Sequence, residues 1–491
     1  AAPPERADDD WARLRLDAVA AQWRERLNRV GLSLPAEAQP LADTVRSSLA
    51  HILMSRDGPA LQPGTRSYAR SWIRDGTMMV AGLLRLGEVS AAREFVQWYS
   101  RFLFTSGKVP CCVDARGADP VPENDSHGEF IHGVALLWHY SDDRALAQRL
   151  WPQVDAAARY MEGLRQSERS AANREPGGGV LFGLLPASIS HEGYSAKPMH
   201  SYWDDFWALA GYRDAAELAG ALGHHGRAAE LATQRDEFAT DLGHSLQRAM
   251  ALHRIDYLPG AAELGDFDPT SSTLIFSPAG AEALVPRATL EATWDRYWRE
   301  SLQRIEGRRA WDAYTPYEWR SVSAFVRLGQ PQRAQALADF FMRDRRPAGW
   351  NQWGEVVVRQ AREVRFVGDM PHAWISSDFI GSTLDRLAYE RDADRALVLA
   401  AGVPRQWLTA GVGVRALRTR FGELSYRLQR DGRTVHLSIE AGLRLPEGGL
   451  WFAWPGDDAL PKADIDGQAA TWDGRALRIA SLPAQVRLTL P

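Results

Sequence analysis

Apolar residues along most of the chain recur at spacings of three and four, which is the period of an amphipathic helix. Clear examples are residues 41–54, 91–104 and 130–140. The strict alternation of apolar and polar residues that marks a strand is nearly absent from this part of the chain. The sequence therefore predicts a mainly α-helical protein from about residue 11 to about residue 400.

One phrase recurs within this helical part. A leucine-rich run ends in Leu-Gly, and an alanine opens the next apolar stripe a few residues later, at Gly87 and Ala91, Gly223 and Ala228, and Gly329 and Ala334. Each phrase predicts a helix that closes at glycine, a short turn and a new helix. Repeated hairpins of this kind either stack as an open solenoid or close into a toroid.

Six long segments rich in Pro, Gly, Trp and carboxylates separate the hairpins. They are residues 65–75, 110–129, 175–199, 260–278, 311–318 and 348–371. Loops of this length inside a compact helical domain are usually functional. Because an open solenoid more often binds with its helix faces, we predict a closed double ring of helices whose loops gather at one rim.

The pattern changes near residue 407. Short alternating runs at 412–420, 423–428, 434–439, 450–454 and 476–490 are separated by Gly, Asp and Pro turns, which predicts a small β-sandwich. We therefore divide the chain into an N-terminal helical extension (1–40), a helical barrel (41–405) and a β-sandwich (406–491).

Charge and composition narrow the partners. The 58 Lys and Arg residues face 62 Asp and Glu residues, and no basic tract occurs, so nucleic acid is not an expected partner. A run of about 18 apolar residues is also missing, so membrane insertion is not expected. The chain begins Ala-Ala-Pro-Pro, as an exported protein does after removal of its signal peptide, and this favours a periplasmic or secreted location.

Metal and thiol chemistry find little support. His127, Glu129 and His132 lack the i, i+4 histidine spacing of a helical zinc site, so neither a metal nor a cofactor is expected. Cys111 and Cys112 are the only cysteines and are adjacent, from which we expect two unpaired thiols. The 19 Trp residues point instead to a ligand that large flat rings can grip, such as a sugar, although an aromatic-rich core would look the same.

Hydrolysis of a glycosidic bond needs two carboxyl groups, one to protonate the leaving oxygen and one to activate water or attack the sugar. Glu355 is the candidate general base, because Trp350, Gln352 and Trp353 just before it could stack on a sugar and hold a water. The alternative is a solvated acid at a helix start.

Glu192 is the candidate general acid. It lies in a loop between apolar and aromatic residues, an environment that can raise a carboxyl pKa and keep the group protonated. Trp203, Asp204 and Asp205 follow on a predicted helix. Because the two aspartates are consecutive, we expect one of them to face the cavity, and Asp204 is the candidate for substrate binding; surface or capping roles are the alternative.

Trp72, Arg74 and Asp75 stand just ahead of another predicted helix. An arginine beside an aspartate can offer a donor fork and an acceptor to neighbouring sugar hydroxyls, although such pairs are also common in structural roles. Trp72, like the other three tryptophans named above, is either a stacking surface or part of the core. Asp125 or Ser126 either caps a helix or binds ligand.

Residues 68–84, with their Trp-x-Arg-Asp phrase before a helix ending in Leu-Gly, resemble the (α/α)6-barrel glycoside hydrolases. The likeness is strongest to glucoamylase-type family 15, and it extends to the trehalases and families 63 and 65. In family 15 the Arg-Asp pair binds the sugar in subsite −1, which implies that role for Arg74 and Asp75.

Two further segments carry the resemblance. Residues 311–319 are similar to the Asp-x-Tyr loop of the family, which implies substrate binding by Tyr314 and Glu318. Residues 350–355 and 371–376 resemble the Pro-Glu-Gln loop and the Trp-Ser-His-Ala phrase that follows it, where the glutamate is the catalytic base. This implies the same role for Glu355.

The family pattern is not complete. Family 15 places its acid in a Leu-Trp-Glu-Glu phrase, whereas residues 183–186 read Gly-Leu-Leu-Pro, so Glu192 is not a motif match. A C-terminal sandwich is also more like family 65. The resemblance therefore reaches the superfamily and not an individual family.

The sequence thus predicts a mainly α protein, an (α/α)6 toroid with a small C-terminal β-sandwich. We expect an exo-acting glycoside hydrolase that cleaves a glucose-type oligosaccharide with inversion and without a cofactor. The alternatives are a phosphorylase, with Arg362 and Arg365 as the nearby cations, a transglycosylase, a lyase or an epimerase on the same toroid, or a non-catalytic glycan-binding protein.

Overall fold

The structure is a computed structural model that describes residues 9–174, 179–190, 192–360, 362–455 and 458–491. Its helices are α1 (Asp9–Leu27), α2 (Gln39–Met54), α3 (Ile73–Arg85), α4 (Val89–Tyr99), α5 (Ser126–Ser141), α6 (Arg144–Glu168), α7 (Tyr202–Leu222), α8 (His225–His253), α9 (Pro269–Ser272), α10 (Arg287–Ile305), α11 (Trp319–Arg327), α12 (Pro331–Arg343), α13 (Ala373–Leu387) and α14 (Trp407–Ala410).

Six of these helices contact one another in a closed order. Helix α3 packs on α5, α5 on α7, α7 on α9, α9 on α11, α11 on α13, and α13 returns to α3. The even-numbered helices α2 to α12 pack outside this ring, each against at least one of its members. The helical part therefore has two layers, with the odd-numbered helices α3 to α13 inside.

The burial pattern of each helix explains its layer. In the inner helix α5, every residue from 126 to 137 is buried, as expected for a helix with neighbours on all sides. The outer helix α8 buries a single stripe, at Leu231, Phe238, Leu242, Leu246 and Ala249. A one-stripe helix must place that stripe against another element, so it covers the ring from outside.

The three predicted hairpins are confirmed. Helices α3, α7 and α11 end just before Gly87, Gly223 and Gly329, and each is followed within three residues by α4, α8 or α12. All three glycines have positive φ, at 82°, 91° and 75°. A left-handed residue at this point ends the helix, and glycine adopts it at the lowest cost.

The strands are β1 (Gly31–Ser33), β2 (Ser71–Trp72), β3 (Cys112–Asp114), β4 (Gly117–Ala118), β5 (Ala313–Tyr314), β6 (Val357–Val358), β7 (Ala388–Arg391), β8 (Ala396–Leu399), β9 (Val412–Thr419), β10 (Gly422–Asp431), β11 (Thr434–Ile439), β12 (Leu450–Ala453), β13 (Lys462–Ile465), β14 (Gln468–Ala470), β15 (Ala476–Ile479) and β16 (Ala484–Thr489). An antiparallel sheet has the order β1-β9-β10-β11-β16-β13-β14, and a second sheet has the order β15-β12-β8-β7.

These two sheets extend beyond the predicted boundaries of the β domain. Strand β1 comes from residues assigned to the N-terminal extension, and it pairs with β9 through Leu32 and Val414. Strands β7 and β8 precede residue 406, and β8 pairs in parallel with β12. Strand β7 directly follows α13, so the sheet begins where the last inner helix ends. Strands of three or four residues are too short to show a periodic signal, which is why the pattern missed them.

The structure differs from the sequence expectation at the two cysteines. Cys111 and Cys112, expected as separate thiols, are joined by a disulfide. None of the helices in the described ranges combines the length and the apolar character that a membrane crossing needs.

Substitution of Gly128 tests the contact between the inner helices α5 and α7. A Cβ at Gly128 would lie 2.1 Å from the carbonyl oxygen of Trp207. We expect Gly128→Ala to lower the free energy of unfolding by about 1–3 kcal/mol, because the two helix backbones would have to separate. Gly163→Ala in α6 is the control, since nothing lies within 4 Å of its Cβ position, and it should stabilise by up to about 1 kcal/mol. Urea unfolding measures both, and equal effects would contradict the close packing of α5 on α7.

Candidate active site

A cleft with two adjoining compartments opens where the long loops meet. Each compartment has a volume of about 220 Å³, and the two share Arg74, Ser190 and Trp374. All six predicted loops contribute to the lining, for example with Tyr68, Glu123, Ser190, Asp268, Tyr317 and Glu355. The loops therefore converge at one end of the helical ring.

Glu355 lies in the first compartment with its carboxylate held from two sides. The residue is 7% exposed. The hydroxyl of Tyr68 donates to Oε2, and the hydroxyl of Tyr317 donates to Oε1 at 2.9 Å. Two phenol donors on the two oxygens fix the orientation of the carboxylate while leaving it acceptor capacity.

His372 is the third group beside this carboxylate. Its Nε2 lies 3.9 Å from Oε2 of Glu355, which is too long for a hydrogen bond. Burial lowers the pKa of His372 to about 4, although the neighbouring charges of Glu355 and Asp369 oppose the shift. The imidazole is therefore neutral near pH 7, and it does not neutralise Glu355.

Arg74 forms the charged floor of the cleft. Its Nη1 donates to Glu123 at 2.9 Å, to Asp125 at 3.3 Å and to the carbonyl oxygen of Ser190 at 2.7 Å. Its Nε lies 3.8 Å from the carboxylate of Asp75. One guanidinium thus joins three carboxyl groups to the loop that carries Ser190.

The carboxyl groups around Arg74 outnumber this one cation. Burial raises the pKa of several carboxyl groups in and beside the cleft. Burial raises the pKa of Glu123 to about 7, while the charge of Arg74 opposes the rise. Burial also raises the pKa of Glu129 and of Asp204 well above their ordinary values, and the charge of Asp125 adds to each shift. Burial therefore favours the protonated form of carboxyl groups in and beside the cleft.

Five of the residues predicted from sequence line the cleft: Trp72, Arg74, Asp75, Trp203 and Glu355. The indole Nε1 of Trp203 donates to Asp125 at 2.9 Å, so one edge of this ring is fixed. Trp72 is only partly buried.

Asp204 and Gln352 lie behind the cleft surface instead of lining it. The carboxylate of Asp204 accepts from the hydroxyl of Ser188 at 2.6 Å. The side-chain amide of Gln352 donates to the hydroxyl of Ser376 at 2.9 Å, and its oxygen accepts from the backbone N–H of Trp353 at 3.0 Å. Both side chains support the loops through these hydrogen bonds, and direct binding of substrate by either one stays a prediction.

Two of the predicted stacking tryptophans are placed elsewhere. Trp353 is fully buried, packed against Trp319 and Phe379 at 5.5 and 5.1 Å between ring centroids, and its Nε1 donates to the carbonyl oxygen of Phe341. It has no face for a sugar because the core covers both sides. Trp350 is 51% exposed and lines neither compartment.

Tyr314 and Glu318, implied by the family resemblance, also lie outside both compartments. The ring of Tyr314 stacks on Phe341 at 5.5 Å, and its hydroxyl donates to Asp344. Glu318 accepts from the guanidinium of Arg304 at 2.9 Å. These contacts occupy both side chains within the protein, and substrate binding by either one stays a prediction.

The side chain of Glu192 lies outside the described part of the structure. Its backbone begins a short 3-10 turn, Glu192–Tyr194. The neighbouring residues Ser190 and Ser195 line the first compartment, and Ser190 and Gly193 line the second.

Sequence reasoning gave no role to several residues of the cleft. Tyr68 and Tyr317 lie within quoted motifs, but the sequence does not show that their hydroxyls meet at one carboxylate. Arg320 follows Tyr317 by one helical turn. Its guanidinium donates to both oxygens of Asp378 at 2.9 Å and lies within 5.2 Å of three aromatic ring centroids, Trp374 among them.

Neither the protein-family models nor the curated proteins give a match. An α-L-rhamnosidase from Dictyoglumus thermophilum superposes with a TM-score of 0.64 at 9% identity, over 94% of this chain and 50% of that chain. An α-L-rhamnosidase from Streptomyces avermitilis complexed with L-rhamnose gives 0.55 at 14% identity, over 94% and 42%.

A glycosidase variant in complex with glucose gives a TM-score of 0.52 at 14% identity, over 72% of this chain and 99% of that chain. The chain thus spans about half the length of the first rhamnosidase and nearly the whole length of the glycosidase. At these identities the likeness shows a shared fold, a helical domain with a β domain, and the fold is one on which glycosidases are built.

Replacement of Glu123 by Gln tests the protonated carboxyl of the cleft. Because its folded pKa of about 7 lies above the ordinary 4.5, the stability it contributes is fully present below about pH 4.5 and is lost as the pH rises through about 7. We expect the free energy of unfolding of the variant to rise relative to that of the wild type by about 2–3 kcal/mol from pH 5 to pH 8, at about 1.4 kcal/mol per pKa unit. Urea unfolding at several pH values measures this gain.

Glu37→Gln is the control for the substitution itself, because Glu37 is an exposed glutamate that lines neither compartment. Parallel profiles for the wild type and Glu123→Gln would contradict a raised pKa at Glu123.

Proposed function

We propose that this chain is an exo-acting glycoside hydrolase on an (α/α)6 toroid, which cleaves a neutral oligosaccharide with inversion. The observation that carries the proposal is Glu355, a buried carboxylate held by Tyr68 and Tyr317 in a cleft that also contains carboxyl groups with raised pKa values. A fixed carboxylate and a protonated one are the two groups that this reaction needs. The closed order of the six inner helices supports the toroid.

Glu355 is the general base in this proposal. Its two oxygens each accept one phenol hydrogen bond, and further lone pairs remain for a water molecule. The water would give its proton to Glu355 as its oxygen attacks the anomeric carbon, and the sugar would leave with inverted configuration.

Glu192 remains the proposed general acid, supported by the position of its neighbours Ser190, Gly193 and Ser195 on the cleft. Glu123 is a second candidate, because it lines the first compartment and burial raises its pKa to about 7. Either group would protonate the leaving oxygen as the bond breaks.

The floor of the cleft supports exo action on a chain end. Arg74 and Arg320 close the bottom, and each is already bound by carboxylates of the protein. A glycan end that enters between the loops would meet these two paired guanidinium groups. This arrangement suits a terminal sugar.

Hydrolysis is favoured over phosphorolysis by the same charges. Of the two cations named for a phosphate site, Arg365 contacts Asp312 at 3.2 Å and Glu363 at 3.7 Å, and Arg362 is exposed; neither lines the compartments. A phosphate would also meet the carboxylates of Asp75 and Glu355 at close range.

The sugar is proposed to be glucose-type, and rhamnose is the second candidate because the structural neighbours include rhamnosidases. The chain is further proposed to act in the periplasm or outside the cell.

Proton NMR of the anomeric signals tests the reaction directly. With a panel of 4-nitrophenyl and oligosaccharide α- and β-glycosides of glucose and rhamnose, we expect one substrate to be cleaved and the first product to carry the opposite anomeric configuration. Turnover should not depend on added phosphate. Retained configuration would contradict the inverting mechanism, and absence of cleavage across the panel would contradict the hydrolase.

Carboxamide variants assign the two carboxyl roles. We expect Glu355→Gln to lower kcat by about 10²–10⁴-fold, the usual contribution of a general base. The matched control is Glu363→Gln on the same loop, which does not line the cleft and should keep wild-type activity. Equal activity of Glu355→Gln and the control would overturn the base assignment.

The acid is identified by its leaving-group dependence. Loss of the proton donor should slow a methyl glycoside far more than a 4-nitrophenyl glycoside, because the nitrophenolate leaves without a proton. We expect this pattern for Glu192→Gln; the same pattern in Glu123→Gln alone would move the role to Glu123.

A further inference from the structure

Three consecutive backbone N–H groups are directed at one buried carboxylate at the edge of the cleft. The amides of Arg66 and Tyr68 donate to Oδ2 of Asp369 at 2.7 and 3.0 Å, and the amide of Ser67 donates to Oδ1 at 3.1 Å. Asp369 is 2% exposed. A carboxylate that accepts three backbone hydrogen bonds holds that backbone in one conformation.

Two glycines permit this close approach. A Cβ at Gly64 would lie 2.3 Å from Cβ of Asp369, so the chain can pass only without a side chain there. Gly368 has a φ of +76°, and a Cβ at this position would lie 2.7 Å from Cβ of Glu355. The segment that carries Asp369 is thus packed directly against the proposed base.

The same segment is tied to the base loop by its backbone. The amide of Val356 donates to the carbonyl oxygen of Val367 at 3.3 Å, which pairs the residues after Glu355 with those before Asp369. Tyr68, whose amide is bound by Asp369, places its hydroxyl on Oε2 of Glu355. The carboxylate of Asp369 therefore fixes the position of the Tyr68 phenol relative to Glu355, the carboxylate that this phenol orients.

We propose that Asp369 is a positioning residue for proton abstraction by Glu355 and that it acts through Tyr68. The inference rests on the proposed function, because it concerns proton abstraction by Glu355. Asp369 itself does not touch substrate in this role. The positioning role predicts that the losses of kcat caused by replacing Asp369 and by replacing Tyr68 do not add up in the double variant, since both residues act through the same Tyr68 hydroxyl at Glu355.

The ionic form of Asp369 is the form that the three amides require. Burial raises the pKa of Asp369, but the hydrogen bonds from the backbone of residues 66–68 outweigh it and hold the pKa below its ordinary value. An asparagine would turn an NH2 group toward N–H donors and lose at least one of the three hydrogen bonds. Asp369→Asn is therefore the substitution that releases Tyr68 with the smallest change in volume.

The experiment is a double-mutant cycle on the 4-nitrophenyl glycoside that the wild-type protein cleaves. We expect Asp369→Asn and Tyr68→Phe each to lower kcat by about 10-fold or more with little change in KM, and the double variant to be no slower than the slower single variant. Independent effects would multiply instead. Asp143→Asn is the matched control, because Asp143 also accepts from a backbone amide, that of Leu146, but far from the cleft.

Hydrogen exchange provides a readout that needs no substrate. The amides of residues 66–68 should be protected in the wild type and exchange at least 10-fold faster in Asp369→Asn, with the melting transition still cooperative. If Asp369→Asn does not fold, Gly64→Ala displaces the same carboxylate from the other loop and is measured in its place.

The outcomes separate the two levels of the inference. Multiplicative kinetic effects, or faster exchange without loss of kcat, would overturn the positioning role and leave the hydrolase proposal standing. A wild-type protein with protected amides and no turnover on any glycoside of the panel would overturn the proposed function and, with it, the role of Asp369.

Discussion

The first and last inner helices, α3 and α13, pack directly against each other, and this closure joins parts of the chain that lie about 300 residues apart in sequence. Asp369 can hold the amide of Tyr68, 301 positions away, only because the ring is closed at this point. Glu355 and Tyr68 meet for the same reason, at a separation of 287 positions. The proposed base is therefore assembled by the closure of the helical ring, and an open arrangement of the same hairpins would leave it without its partners.

Closure also concentrates charge. The loops that converge at one end of the ring bring Glu123, Asp125 and Asp75 to a single arginine, Arg74. Burying this many carboxyl groups with one cation is costly, and the cost is reduced when some of them keep their protons. The same protonation supplies what a glycosidase needs, a general acid that still carries its proton near neutral pH. The stability of the fold and the proposed chemistry thus depend on the same groups.

Much of the helical fold could be predicted because each hairpin is coded locally, by an apolar stripe, a glycine with positive φ and a new stripe. Trp72, Arg74, Asp75 and Glu355 could be found because each belongs to a short local motif: the first three lie at the start of α3, and Glu355 closely follows Gln352 and Trp353. Burial could not be predicted in this way. Trp353 and Trp350 differ in sequence position by three residues, yet one is in the core and one is half exposed, because distant helices cover only the first.

The position of Tyr68 illustrates what sequence spacing leaves out. Its role depends on a hydroxyl, a backbone amide and two glycines, Gly64 on its own loop and Gly368 on a distant one, and none of these signals is periodic. Precise placement of a carboxylate requires such non-local contacts, since a loop held only by its own hydrogen bonds would let Glu355 move relative to a bound sugar. The candidate site is consequently less visible in the sequence than the ring that supports it, although the two form together. A substitution in the ring that shifts α13 against α3 should therefore disturb the orientation of the Glu355 carboxylate before it unfolds the protein.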